Sequence, residues 1–178
     1  MPEVLVVNRN LEKKESWLLE TYRQDGGYSQ AERAIKEMSP DDVIEIVTAA
    51  ELKGRGGAFF STGLKWKFVR GDSNTPRYVV ANGDESEPGT YCNRFLLEKD
   101  PHGFIEGMIV TAYAVDSHTA YIYIRGEYDL AIQRVREALR ECYEAGILGN
   151  SIFGTDFQLD IILRRGAGAY ICGEETAL

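Results

Sequence analysis

The sequence predicts an α/β protein built on a parallel sheet with flanking helices. Three observations carry that prediction. Short apolar runs alternate with longer stretches of helical spacing, in the order strand, helix, strand, helix, strand, the pattern of right-handed parallel crossovers. The strand runs are mostly apolar, as expected of strands covered on both faces. Glycine-rich and acidic segments follow them, at the carboxyl ends where such sheets bind ligands.

Met1 to Val7 reads as an edge or first strand. Leu11 to Lys36 is mixed and charged, and reads as helical in two pieces around Gly26-Gly27. Residues 1–38 thus form an amino-terminal strand and helical segment, and residues 39–178 the α/β domain proper. Ser39 caps a helix with Pro40 in its first turn and Asp41 and Asp42 at its positive end. Val43, Ile44, Ile46 and Val47 give that helix an apolar stripe to about Leu52. Arg77 to Asn82 is the first core strand. Asp100 caps a helix opened by Pro101, with Phe104, Ile105, Met108, Ile109, Ala112 and Tyr113 at helical spacing. Ala120 to Ile124 is the second core strand. Glu127 to Ala145 is amphipathic, with Leu130, Ile132, Val135, Leu139 and Cys142 inward and Gly146 as terminator. Phe157 to Leu163 is the third core strand. Gly173 to Leu178 has the character of a helix's first turn, so a longer natural polypeptide, or a truncated form, is expected. The ligand-end loops are then Asn82–Thr90, Arg125–Glu127 and Arg164–Glu175.

The 178 residues suffice for one domain with a proper core. A formal charge of −8 argues against broad electrostatic binding of nucleic acid. No apolar run is long enough to span a bilayer, and the amino terminus lacks the features of a signal peptide. Cys92, Cys142 and Cys172 are widely spaced and odd in number, which implies no disulfide framework. Without a C-x-x-C pair, and with only His102 and His118, no metal site is expected in this chain. A reducing cytoplasmic setting fits.

The most informative stretch is Gly54-Arg55-Gly56-Gly57-Ala58-Phe59-Phe60-Ser61-Thr62-Gly63-Leu64-Lys65-Trp66-Lys67-Phe68. It sets four glycines within ten positions among cations and aromatic rings. Glycines admit close approach of backbone amides, rings stack, and Arg55 and Lys65 offer charge to phosphate or ribose. The mixture suits a nucleotide-like ligand; a flexible connector is the plainer reading. Leu64 separates Gly63 from Lys65, so no P-loop is formed, and the G-x-G-x-x-G spacing also fails. A kinase or ATPase is thereby disfavoured. Asn82-Gly83-Asp84-Glu85-Ser86-Glu87-Pro88-Gly89-Thr90 places three carboxylates within four positions after a strand. It reads as a ribose, heterocycle or metal-phosphate site, or as a solvated acidic turn. Arg165-Gly166-Ala167-Gly168-Ala169-Tyr170-Ile171-Cys172-Gly173-Glu174-Glu175-Thr176 is a second glycine-rich element. Its glutamates suit a helix start, and Tyr170 suits ring packing or ordinary core. Cys92 and Cys172 read as buried structural thiols rather than nucleophiles. Arg134, Arg136 and Arg140 read as a solvated face.

Together these three segments, with Pro101-His102 and Glu106-Gly107-Met108 in support, closely resemble the NADH-binding flavoprotein subunit of respiratory complex I. They are similar also to the diaphorase subunits of NAD-linked hydrogenases and formate dehydrogenases. The resemblance runs from about Gly26 to the end, covering the amino-terminal part of that family. It implies a Rossmann-like FMN- and NAD(H)-binding domain in which NADH passes a hydride to the flavin, with no acid–base catalytic residue. By resemblance, the Gly54, Gly56 and Gly57 backbone, Arg55 and Lys65 lie along FMN and the nucleotide. Asn82, Asp84, Glu85 and Ser86 contact the flavin, and Tyr170, Gly173, Glu174 and Glu175 close over it. Phe60 and Phe68 sandwich the adenine of NADH with Lys65 nearby, and Glu87 and Glu175 face its nicotinamide half.

Two departures qualify the resemblance. That family usually reads Ala-Gly-Phe-Pro-Thr-Gly in the first loop, where this chain has Ala58-Phe59-Phe60-Ser61-Thr62-Gly63. Phe59 is expected to narrow the site or shift the adenine contact. The family also continues past the position of Leu178, with further FMN phosphate contacts, a ubiquitin-like domain and a helical domain whose four cysteines hold a 4Fe-4S cluster. The resemblance therefore implies that the 178 residues alone bind FMN weakly or not at all. It implies as partners a thioredoxin-like 2Fe-2S protein and a larger electron-transfer complex. The setting it implies is cytoplasmic, as the peripheral arm where the complex is membrane-associated, without membrane insertion of its own. A non-catalytic assembly module that keeps the fold without flavin is the alternative, favoured by Phe59.

Overall fold

The computed structural model describes residues 6–56, 58–71 and 75–178. Most of the expected Met1–Val7 strand, and Gly57, lie outside the described residues. The chain forms α1 (Leu19–Gln24), α2 (Ser29–Glu37), α3 (Pro40–Ala49), α4 (Thr62–Gly71), β1 (Tyr78–Gly83), α5 (Cys92–Lys99), α6 (Pro101–Val115), β2 (Thr119–Ile124), α7 (Asp129–Glu144) and β3 (Asp160–Arg165). The strands form one parallel sheet in the order β1-β2-β3, with Thr119 paired to both Tyr78 and Asp160. The expected α/β architecture is present.

Local chemistry sets the helix ends. Ser39 and Asp42 form a reciprocal capping box at α3, with Pro40 at its first position. Asp100 accepts from the Gly103 amide at 3.2 Å and opens α6. Gly146 follows α7 at φ +67°, a left-handed turn that lets the Ile147 amide return to the Cys142 carbonyl at 2.8 Å. β3 begins three residues later than the sequence suggests. Leu159 is held in an antiparallel bridge to Gly149, and His118 Nδ1 contacts the Gln158 carbonyl at 3.0 Å, so 157–159 belong to the preceding turn.

One face of the sheet is packed. Ala120, Ile122 and Ile124 are fully buried together with Ile105, Ile109 and Ala112 of α6 and Ala131, Val135, Ala138 and Cys142 of α7. Burying an isoleucine stabilises by about 1.5–3 kcal/mol. Among the described residues the other face is left open, contrary to the sequence expectation for Arg77–Asn82: Tyr78 is 55% and Val80 50% exposed. The reason is topological. β1 is an edge strand, and its helical cover lies on the face that carries Val79 and Ala81. Leu130 and Ile46, expected inward, are exposed as well.

The amino-terminal segment shares this core. Tyr22, Tyr28, Ala31 and Ile35 pack in the same cluster as α6 and α7. The Glu106 carboxylate of α6 accepts from the Tyr22 hydroxyl and from the Tyr28 and Ala31 amides, so it caps α2, which has no cap of its own. Beneath it, Tyr28 Oη contacts His102 Nδ1 at 2.8 Å and Cys142 Sγ at 3.0 Å, while His102 Nε2 contacts Glu141 at 3.1 Å. Burial lowers the His102 pKa and pushes the Cys142 thiol up to about 12. The imidazole is therefore neutral, and one hydrogen-bond chain runs from Cys142 through Tyr28 to His102 and Glu141. Arg134 is not part of a solvated face. Its guanidinium lies 3.2 Å from the Trp17 ring centroid and anchors the segment before α1.

Candidate functional site

The first segment folds as a pinned loop. The Thr62 amide donates to Leu52 O and the Gly54 amide to Phe60 O, both at 2.9 Å, and Lys53 bridges Ser61. The loop runs directly into α4, a helix that the glycine-rich sequence does not announce. α4 lies close on α3 because Gly63 has no side chain; a Cβ there would stand 2.1 Å from Thr48 Oγ1. This helix carries Lys65, Trp66 and Phe68 along its length.

The second segment leaves β1 as a turn stitched by its own side chains. Asn82 Oδ1 accepts from the Asp84 amide at 3.1 Å, and the Ser86 hydroxyl donates to Asp84 at 2.8 Å. Glu85 behaves differently from its neighbours. It is 6% exposed. Its carboxylate accepts from the Asn93 amide at 2.9 Å, the Arg94 amide at 3.1 Å and Tyr128 Oη at 3.2 Å. Glu85 thus caps α5 with its carboxylate while the residue still lines the cleft. Arg125 donates to Glu85 O at 2.8 Å and pairs with Glu127 at 3.2 Å. The Arg125–Glu127 loop thus braces the turn and does not line the cleft.

The third segment closes from the end of β3 through a 3-10 turn at Tyr170–Gly173. Asn82 Nδ2 donates to Gly173 O at 2.8 Å, and Tyr170 Oη donates to the Glu87 carboxylate. That hydrogen bond to a carboxylate raises the Tyr170 pKa. After Glu174 the chain makes a single turn, with the Leu178 amide on Glu174 O at 3.0 Å.

The three segments meet. A cleft of about 820 Å³ is lined by Arg55 and Gly56 of the first, by Asn82, Asp84, Glu85, Ser86 and Glu87 of the second, and by Tyr170, Gly173 and Glu174 of the third. A neighbouring cavity of about 640 Å³ shares Gly56 and is lined by Gly54, Phe60, Lys65, Glu175 and the open face of β1. Both volumes fall in the range of cofactor sites, about 300–1,000 Å³. Phe68 lines neither. It is exposed, with its ring 6.5 Å from that of Phe60 and tilted by 46°. Clasping a flat ring between the two requires one side chain to turn.

Sequence reasoning missed several lining residues. Cys92 and Asn93 border the larger cleft, and Trp66, Tyr78 and Val80 the smaller, where Phe59, expected to affect the site, also lies. Cys92 is exposed and Cys172 half-buried, so neither is a buried structural thiol; the buried one is Cys142. Cys92 opens α5 at the rim of the cleft, in a stretch to which the sequence reading assigns no element.

The model of the Nuo51 FMN-binding domain matches residues 47–178, which include all three segments. The chain belongs to that family. Family members align over nearly all of it. An NADH-quinone oxidoreductase subunit of Rhizobium meliloti (strain 1021) is 49% identical over 173 residues, 97% of this chain and 41% of the relative. Its counterpart in the NADH-quinone oxidoreductase of Escherichia coli (strain K12) is 48% identical over 168 residues, 94% of this chain and 38% of the relative. The chain thus spans about two fifths of the length of these curated relatives. Among solved structures, NAD+-reducing [NiFe]-hydrogenase in the air-oxidized state matches with a TM-score of 0.66 at 36% identity, covering 77% of this chain and 22% of that one. Among the described residues no helix is long and apolar enough to cross a membrane, and no cluster of metal-ligating side chains occurs.

Proposed function

We propose that this chain forms the flavin- and nucleotide-binding part of an NADH dehydrogenase. The observation that carries the proposal is the convergence of three segments, far apart in sequence, on two cavities that share Gly56.

The residues present suit FMN in the larger cleft. Asn82 and the turn it stitches offer backbone and amide groups to a heterocycle edge. Arg55, with the backbone of Gly54 and Gly56, suits a phosphate or ribose, since a guanidinium matches phosphate in two-pronged fashion. Gly173, whose Cβ would lie 3.0 Å from Asp84 O, brings the third segment close over the second. The smaller cavity suits the adenosine half of NADH, with Phe60 for the ring and Lys65 for the phosphates. The chemistry supplied by FMN in the larger cleft would be acceptance of hydride from NADH and release of electrons singly.

The chain's own task is to hold ring against ring at hydride-transfer distance and to exclude water. Glu87 and Glu175, set at the two cavities, would meet the nicotinamide half and its ribose. NADPH carries its extra phosphate on the adenosine ribose, and Glu175, which lines the smaller cavity, would repel it there, which favours NADH. The electrons would leave for iron–sulfur groups of a longer polypeptide or of partner proteins, a thioredoxin-like 2Fe-2S protein among them. A 4Fe-4S cluster would belong to the region of the family beyond this chain. The protein would then sit on the cytoplasmic side, as a peripheral arm where its complex is membrane-bound.

The test is the visible spectrum of the native protein purified in its own assembly. Flavin bands that bleach on NADH addition support the proposal. Absence of flavin, or flavin indifferent to NADH, contradicts it and leaves an assembly module.

A further inference from the structure

Phe59 stands in the pinned loop at φ +51°. The left-handed region is strained for a residue with a Cβ, and for a bulky one it is a true outlier. The loop demands it, because Lys53–Ser61 and Gly54–Phe60 fasten both sides and the chain must reverse just before Phe60. Glycine would meet that demand at no cost.

Other aromatic residues in the same backbone region show what normally offsets such strain. Tyr28, at φ +66°, is 3% exposed and bonded to His102 and Cys142. Phe153, at φ +52°, packs against the main core. Phe59 has neither compensation. It is 60% exposed and lines the smaller cavity. Glu15 and Glu51 share that backbone region and are exposed, but line neither cavity; Phe59 joins the strain to a place in a cavity wall, and that combination points to a side chain held for a ligand.

The surroundings say which ligand. Phe60, Trp66 and Tyr78 line the same cavity, with Lys65 and Glu175 as its charged groups. Aromatic walls with one cation and one carboxylate fit a flat heterocycle carrying a ribose and an anionic tail. We propose that Phe59 is a stacking wall, beside Phe60, for the purine of an adenine nucleotide, and that it sets this chain's grip on the adenine end of the dinucleotide. The inference rests on the nucleotide reading of the smaller cavity given above.

The test is calorimetric titration of the native protein, in its own assembly, with two half-ligands. ADP-ribose carries the adenine end, and nicotinamide mononucleotide lacks it. Phe59→Asn and Phe59→Gly both tolerate the left-handed backbone, so each is expected to unfold at the same temperature as the parent or higher. Both should bind ADP-ribose about tenfold more weakly, as expected for the loss of a stacked ring, and nicotinamide mononucleotide unchanged. Phe59→Tyr should restore ADP-ribose binding. Unchanged ADP-ribose affinity in the Asn and Gly variants, or failure of Tyr to restore it, would overturn the role of Phe59 while leaving the nucleotide site standing. No binding of ADP-ribose by the parent chain would overturn both.

Discussion

The two faces of the sheet follow opposite rules. On the helix side, Ala120, Ile122 and Ile124 are sealed under α6 and α7, and the buried His102 and Tyr28 and the half-buried Glu106 are tied into hydrogen bonds. On the cleft side, Tyr78, Val80, Phe60 and Tyr170 are exposed, and Glu87 and Glu174 line open space. The packed side builds a rigid platform, and the open side holds chemistry in reserve at the platform's rim. Substitutions should therefore separate cleanly into those that cost stability and those that cost ligand.

The sharpest form of that comparison is Ile122→Ala against Val80→Ala. The first empties a fully buried position and should destabilise by about 2–5 kcal/mol. The second trims a half-exposed residue and should stay within about 0.5 kcal/mol in urea titration. Comparable losses would mean that the open face is covered in solution. Next in size is Glu106→Ala, which strands the Tyr28 and Ala31 amides and the Tyr22 hydroxyl. A loss of about 3 kcal/mol is expected, with hydrogen exchange faster through α1 and α2. Protection that stays the same there would show that the segment stands without this cap.

Acid should act on the packed side alone. Burial holds the His102 pKa below its ordinary 6.5. The unfolded chain then takes up the proton first. Stability is full above pH 6.5 and declines as pH falls below it, levelling once the folded imidazole protonates too. Urea midpoints from pH 7.5 down to 5 should fall in the parent and flatten in His102→Gln; equal slopes would contradict the assignment. A modest effect is expected from Tyr128→Phe, which removes one hydrogen bond to Glu85. It should cost about 1 kcal/mol and loosen the acidic turn, visible as faster exchange at Asn93 and Arg94.

Much of the platform was readable from the chain. The three core strands, the Ser39 and Asp100 caps and the Gly146 stop rest on local signals. α5 was not readable, and its physics says why. Its cap is Glu85, supplied from the preceding turn rather than from Tyr91 at its own N-cap. The same applies to α2, capped by Glu106 from across the core. α4 was hidden by Gly63 and Gly71, residues that argue against a helix until α3 is seen pressing on it. The motif segments of the site were legible, because ligand chemistry leaves dense local patterns. Two things were not: that Glu85 turns inward, and that Cys92 turns outward. Both depend on where α5 starts.

The central claim is that the three segments act as one site. Hydrogen exchange of the native flavin-loaded assembly against its flavin-stripped form, each with and without NAD+, tests it directly. The account predicts that residues 54–65, 82–90 and 170–175 gain protection together, while β2 and α7 stay as they were. Protection confined to one of those segments, or spread instead over the helix-covered face, would contradict it.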